Sequence, residues 1–89
     1  MIFYFINLVV NWDEKDGYVF SSYENRDHDS AVELFNKIRL GETDGLTDAF
    51  LALKQKNPSL KLGALLTAVE YDNEGELPEG TRLLDACTL

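Results

Sequence analysis

The chain has 89 residues, 45% of them hydrophobic, and a net charge of −8 from 16 acidic and 8 basic side chains. This length suits one domain, which we expect to span residues 1–89, and the hydrophobic content excludes a disordered chain. The acidic excess argues against direct binding to nucleic acid or to anionic membranes, both of which attract clustered Lys and Arg.

The single cysteine, Cys87, excludes an intramolecular disulfide and a cysteine metal cluster. A reducing compartment therefore fits best, and we expect a cytoplasmic protein. The apolar run at 2–10 follows no basic segment, and it is about half as long as the twenty residues that a membrane-spanning helix needs. A buried strand is the better interpretation of this run.

The pattern predicts that the first strand covers residues 2–12. Its even-numbered side chains, Trp12 included, are all apolar, whereas its odd-numbered face becomes polar toward the end. Phe3 and Phe5 lie on that odd-numbered face, where we expect them to be exposed or to meet a partner. The segment 13–17 has the composition of a hairpin turn, with a terminal glycine free to adopt a positive φ. Residues 18–23 are rich in aromatic and β-branched types and predict the second strand.

Two helices follow. The segment 30–33 fits a capping box that begins at Ser30, and an apolar stripe continues to Ile38 before Gly41 takes the C-terminal cap position. A second helix is predicted over 46–56, since its apolar side chains have helical spacing and a proline follows it closely.

The stretch 60–71 is ambiguous, because its apolar residues fit both strand and helix spacing. Turn chemistry follows it, and then residues 81–89 resemble a short strand, so we favour a hairpin with a long acidic loop. The predicted fold is α+β in the order ββααββ. An antiparallel sheet of about four strands would carry two helices on one face.

The residue types that carry catalysis are sparse. His28 is the only histidine and precedes a helix, where a solvated loop position is the usual outcome. Cys87 has apolar neighbours, which favour an unreactive thiol. The acidic loops do not match the calcium-loop pattern, so we expect no metal, no cofactor and no enzyme activity. A small enzyme that uses His28 with Cys87 remains the least favoured alternative.

Acidic side chains gather in the two predicted hairpin loops, and aromatic side chains lie beside them. The candidate partner-binding residues are Trp12, Asp13, Glu14 and Asp16 in the first hairpin, and Glu70, Tyr71, Asp72, Glu74, Glu76 and Glu79 in the second. A negative surface attracts a basic partner and speeds association. The alternative is a solvated surface that keeps a small protein soluble.

These observations predict a non-catalytic module that binds a basic protein surface, including the surface of a nucleic-acid-binding protein, and inhibits it by occlusion. In size, element order and acidity the chain resembles many small phage and mobile-element proteins that inhibit host factors, a resemblance of general features without a shared motif. A second hypothesis is a structural or oligomerisation module that forms a homodimer through its sheet face.

Overall fold

A computed structural model describes residues 1–74 and 77–89. The elements in chain order are β1 (Ile2–Val10), β2 (Tyr18–Asn25), α1 (His28–Leu40), α2 (Asp48–Lys56), β3 (Leu62–Tyr71) and β4 (Pro78–Thr88). The four strands form one sheet in the order β2-β1-β3-β4, and every neighbouring pair is antiparallel. The predicted α+β class, the antiparallel sheet and the order ββααββ are confirmed.

In both central strands, β1 and β3, the even-numbered side chains point to one side of the sheet and the odd-numbered side chains to the other. Their even-numbered residues pair directly: Ile6 with Leu66, Leu8 with Ala64, and Val10 with Leu62. Directly paired residues of antiparallel strands point to the same side, which we call the even face. Each of these six side chains is at most 3% exposed. The even face is therefore the sheet's contribution to the hydrophobic core.

The helices complete this core with a small number of buried side chains. Ala31, Phe35 and Ile38 of α1 and Phe50 of α2 belong to the same buried cluster as the even face. The spacing of the three α1 residues places them on one side of the helix, as the sequence pattern indicates. α2 begins two residues later than predicted, and Phe50 is its only fully buried side chain among the described residues.

The first strand ends two residues earlier than predicted, at Val10. Asn11 adopts a positive φ of 49°, its backbone N–H donates to the Lys61 carbonyl, and its side-chain oxygen accepts from the Lys61 N–H. Asparagine tolerates this left-handed conformation better than most residues. The expectation that Trp12 continues the even face is wrong, because the indole lies against Gly63, a partner of Val9 on the opposite side.

Gly17 ends the β1–β2 turn for a different reason from the one expected. Positive φ angles occur at Asn11 rather than at this glycine. A Cβ at Gly17 would overlap the backbone carbonyl of Asn11, so the turn requires close backbone approach. Gly17 also donates its backbone N–H to the Glu14 carbonyl.

The start of α1 differs from the predicted capping box. Asp27, not Ser30, is the N-cap, and its carboxylate accepts from both the backbone N–H and the hydroxyl of Ser30. These hydrogen bonds lower the pKa of the Asp27 carboxyl. The predicted C-terminal cap is confirmed: Gly41 is left-handed at φ 76°, and the N–H of Glu42 donates to the Lys37 carbonyl.

The ambiguous stretch forms the central strand β3, which confirms the hairpin interpretation. Burial between β1 and β4 explains its continuous apolar sequence, since both edges of the strand are paired. β4 begins at Pro78, three residues before the predicted start, and irregularities interrupt its pairing with β3 beside Leu66 and beside Glu70. Pro78 is tolerated because β4 is an edge strand.

Candidate functional site

The two acidic hairpin loops lie at opposite ends of the sheet. β1 and β3 are antiparallel, with Val10 beside Leu62 at one end and Ile2 beside Glu70 at the other. Eight residue steps along a strand cover about 27 Å. The ten candidate residues therefore form two separate groups, and Trp12 and Tyr71 do not share one contact surface.

The β1–β2 turn carries Trp12, Asp13, Glu14 and Asp16, and we call this the turn end. The Lys61 ammonium lies 3.1 Å from the Asp13 carboxylate and 3.6 Å from that of Glu14. The hydrogen bond to Asp13 is the main cause of a raised Lys61 pKa. A cation thus offsets part of the negative charge at this end.

The opposite end gathers carboxylates from three segments of the chain. The end of β2 lies beside the start of β1, since Asn25 pairs with Tyr4, and the start of α1 follows directly, with the His28 ring 5.3 Å from the Tyr4 ring. We call this the acidic end; its described acidic residues are Glu24, Asp27, Asp29, Glu70, Asp72, Glu74 and Glu79. Arg26, Arg82 and the Met1 ammonium lie at the same end and offset part of this charge. Glu76, also a candidate, lies outside the described residues.

Three of these acids, Glu24, Asp27 and Asp29, are absent from the candidate set because they lie at the end of β2 and the start of α1 rather than in a hairpin turn. Their proximity to the β3–β4 loop depends on β1 pairing with both β2 and β3. Two features of the sequence could have identified them: their own acidity, and the first hairpin, which makes β2 run antiparallel to β1 and so returns its end to the start of β1.

Phe3 packs within an aromatic corner at the acidic end. Its ring meets the Tyr71 ring edge-on at a centroid distance of 5.1 Å, and the Arg26 guanidinium lies 5.1 Å from its centroid. Phe3 is consequently only 8% exposed, so the expectation of an exposed ring is wrong for this residue. Phe5 is half-buried. The corner places Tyr71, half-buried itself, directly beside the acidic loop.

The odd-numbered side of the sheet contributes no β1 or β3 residue to the described core cluster. We call it the open face, defined by its apolar side chains Phe5, Val9, Val19, Leu65, Val69 and Leu83. Val19 is 56% exposed and Leu83 is 58% exposed, on opposite edge strands. Val9 is only 4% exposed, and Phe5, Leu65 and Val69 are half-buried. Exposed apolar side chains such as Val19 and Leu83 are typical of contact surfaces.

Two shallow depressions mark the sheet. One, of about 200 Å³, lies beside the Trp12 indole and is lined by Val9, Tyr18, Val19 and Leu65. The other, of about 300 Å³, lies at the acidic end and is lined by Ile2, Ala68, Glu70 and Arg82 among others. Both are open, and neither contains the buried convergent polar groups typical of a small-molecule site.

His28 and Cys87 do not approach one another. His28 contacts Tyr4 and the Asp29 carboxylate, whereas Cys87 pairs with Ala64, level with Leu8. Burial raises the pKa of the Cys87 thiol, which disfavours the reactive thiolate at neutral pH.

Across residues 1–74 and 77–89, no three His, Cys, Asp or Glu side chains form a group that could hold a metal ion. No helix in this part of the chain is both long and apolar enough to cross a membrane. Comparison with protein-family models, with curated proteins and with solved structures gave no match.

Proposed function

We propose that the protein is a non-catalytic binding module that inhibits a protein partner by covering a basic surface with its acidic end. The observation that carries this proposal is the meeting of carboxylates from three chain segments at one end of the sheet. Such a concentration of one sign of charge raises the association rate with a basic partner. Nucleic-acid-binding proteins are suitable targets, because their working surfaces are basic.

The position of the helices supports access to the acidic end. We infer that α1 and α2 both lie over the even face, because Phe35 and Phe50 share one buried cluster with Leu8. Glu74 and Glu79 are both exposed. Tyr71 supplies an aromatic anchor beside these carboxylates, in the role that such residues have at the centre of interfaces.

The proposed partner contact is electrostatic, and salt therefore tests it. The tagged protein is used to capture partners from its native cell lysate. The captured complexes are washed at low and then at high salt, and the released proteins are identified by mass spectrometry. We expect a stoichiometric basic protein that salt releases, since screening weakens interactions between exposed charges. A basic partner inside the cell also fits the proposed cytoplasmic location.

Charge reversal locates the contact. Two double variants each exchange two exposed acids for lysines. The first, Glu74→Lys with Glu79→Lys, changes the acidic end, and the second, Asp16→Lys with Glu42→Lys, changes other parts of the surface. We expect the first pair to slow association with the captured protein by tenfold or more, as is usual for steering charges, and the second pair to change it little. Equal effects of both pairs, or binding that high salt does not weaken, would contradict the proposal.

A further inference from the structure

We propose that the open face is the contact between two copies of this chain, which would pair as an isologous sheet-on-sheet dimer. This surface adjoins the acidic end, with which it shares Glu24, but its apolar side chains carry different chemistry. Val19, Leu65 and Leu83 stand on it without a covering element in the described core cluster. A second copy would supply the apolar layer that the helices supply on the even face.

The area of the face suits a dimer. Four strands at their usual spacing are about 19 Å wide, and a nine-residue strand such as β1 is about 30 Å long. The flat product is about 570 Å² for each copy, or about 1,100 Å² for the pair, and side-chain relief adds to it. A specific interface needs about 1,000 Å² in total.

The charge of the face selects a second copy over a basic partner. Glu24 lies opposite Phe5, and the Arg26 guanidinium lies over the Phe3 ring, so one acid and one base offset each other here. The whole chain carries −8. A basic protein is therefore attracted to the ends of the molecule, whereas the open face itself carries little net charge.

The distribution of charge also selects the orientation of the two copies. A two-fold axis perpendicular to the strands would place the turn end of each copy over the acidic end of the other. This arrangement separates the two acidic ends by the length of the sheet, and aligned sheets pack in this way at about 30°. Trp12 of one copy would then lie over the exposed Arg26 side chain of the other.

Trp12 is the only tryptophan and is 49% exposed in the single chain, so its fluorescence reports the contact. The experiment measures the molecular mass by sedimentation equilibrium, and the Trp12 emission wavelength, across a dilution series of the full chain. We expect a monomer–dimer equilibrium, with emission moving to shorter wavelength as the dimer forms. High salt should not weaken this dimer, in contrast to the salt-sensitive partner of the proposed function.

Two variants place a charge on opposite edges of the open face. Leu83→Lys and Val19→Lys should each raise the dimer dissociation constant by about tenfold or more, because each charge is buried twice in a two-fold interface. Leu40→Lys is the matched control, since Leu40 is 69% exposed at the end of α1. It should leave the dissociation constant unchanged, and circular dichroism checks the folding of all three.

A chain that stays monomeric at every soluble concentration would overturn the dimer. A second outcome would also overturn the open-face contact: Leu83→Lys weakens the dimer, whereas Val19→Lys leaves its dissociation constant unchanged and Trp12 emission does not move on dimerisation. That result would indicate edge pairing through β4. Partner capture through the acidic end is scored separately, so failure of one proposal leaves the other intact.

Discussion

Trp12 and Gly63 show how one residue without a side chain fixes the position of a large one. The indole Nε1 lies 2.9 Å, and the Cys87 carbonyl oxygen 3.1 Å, from the place that a Cβ at Gly63 would occupy. Both distances are too short for a methyl group to enter without displacement. The absence of a Cβ at Gly63 therefore allows the Trp12 indole to lie against the open face beside Val9.

Gly63→Ala should displace the indole and shift Trp12 emission to longer wavelength. Because the Cys87 carbonyl belongs to the paired backbone of β4, we also expect a loss of about 1–3 kcal/mol in the free energy of unfolding, which is typical of overpacking. Emission spectra and urea denaturation measure the two effects.

Gly80→Ala is the control, since nothing lies within 4 Å of its would-be Cβ. Unchanged Trp12 emission in Gly63→Ala would contradict the close packing of the indole on this glycine.

At the scale of elements, α2 is held by a single deeply buried side chain. Phe50 is 1% exposed, and its ring lies 5.4 Å from that of Phe20 on β2, whereas the next residue, Leu51, is 37% exposed. A nine-residue helix is unstable alone, because nucleation is unfavourable and few hydrogen bonds follow it. Packing of Phe50 therefore decides whether α2 forms.

Phe50→Ala should lower the free energy of unfolding by about 3–5 kcal/mol, the usual range for removing a buried ring. Leu51→Ala, in the same helix, should change it by about 1 kcal/mol or less, since Leu51 is 37% exposed and loses less burial than Phe50. Urea denaturation compares the two. A similar loss in both variants would contradict the dominant role of the buried ring, because alanine is the better helix former at both positions.

At the scale of the whole molecule, the length of the sheet separates two regions of unequal charge. Lys61 offsets Asp13 and Glu14 at the turn end. At the acidic end, seven described acids from the end of β2, the start of α1 and the β3–β4 hairpin outnumber Arg26, Arg82 and the Met1 ammonium. Such self-repulsion opposes the folded state and is screened by salt.

Sodium chloride should therefore raise the melting temperature of the protein by about 4–8 °C, which corresponds to about 1 kcal/mol for a domain of this size. Glu74→Lys with Glu79→Lys should remove more of this salt effect than Asp16→Lys with Glu42→Lys, although both pairs change the net charge equally. Thermal unfolding followed by circular dichroism, at one protein concentration, measures the melting temperature of each variant at low and high salt. Equal responses would mean that total charge, not its position, determines the effect.

The sequence by itself determined the number and order of the elements and the type of all but β3, whose apolar spacing fits both strand and helix. Alternation in residues 2–10, helical spacing from Ala31 to Ile38 and the left-handed cap at Gly41 are local signals, since each depends on neighbours within a few residues. The neutral thiol expected for Cys87 followed from its apolar neighbours in the same way, and burial raises its pKa as that argument requires.

Only the tertiary structure decided which elements meet. The central place of β3 joined the end of β2 to the β3–β4 loop and separated that loop from the β1–β2 turn. Burial of Phe3 depends on Arg26 and Tyr71, and the position of Trp12 depends on Asn11, Lys61 and Gly63, all distant in sequence or set by one unusual φ. Strand order and face coverage arise from long-range packing, which local periodicity does not encode.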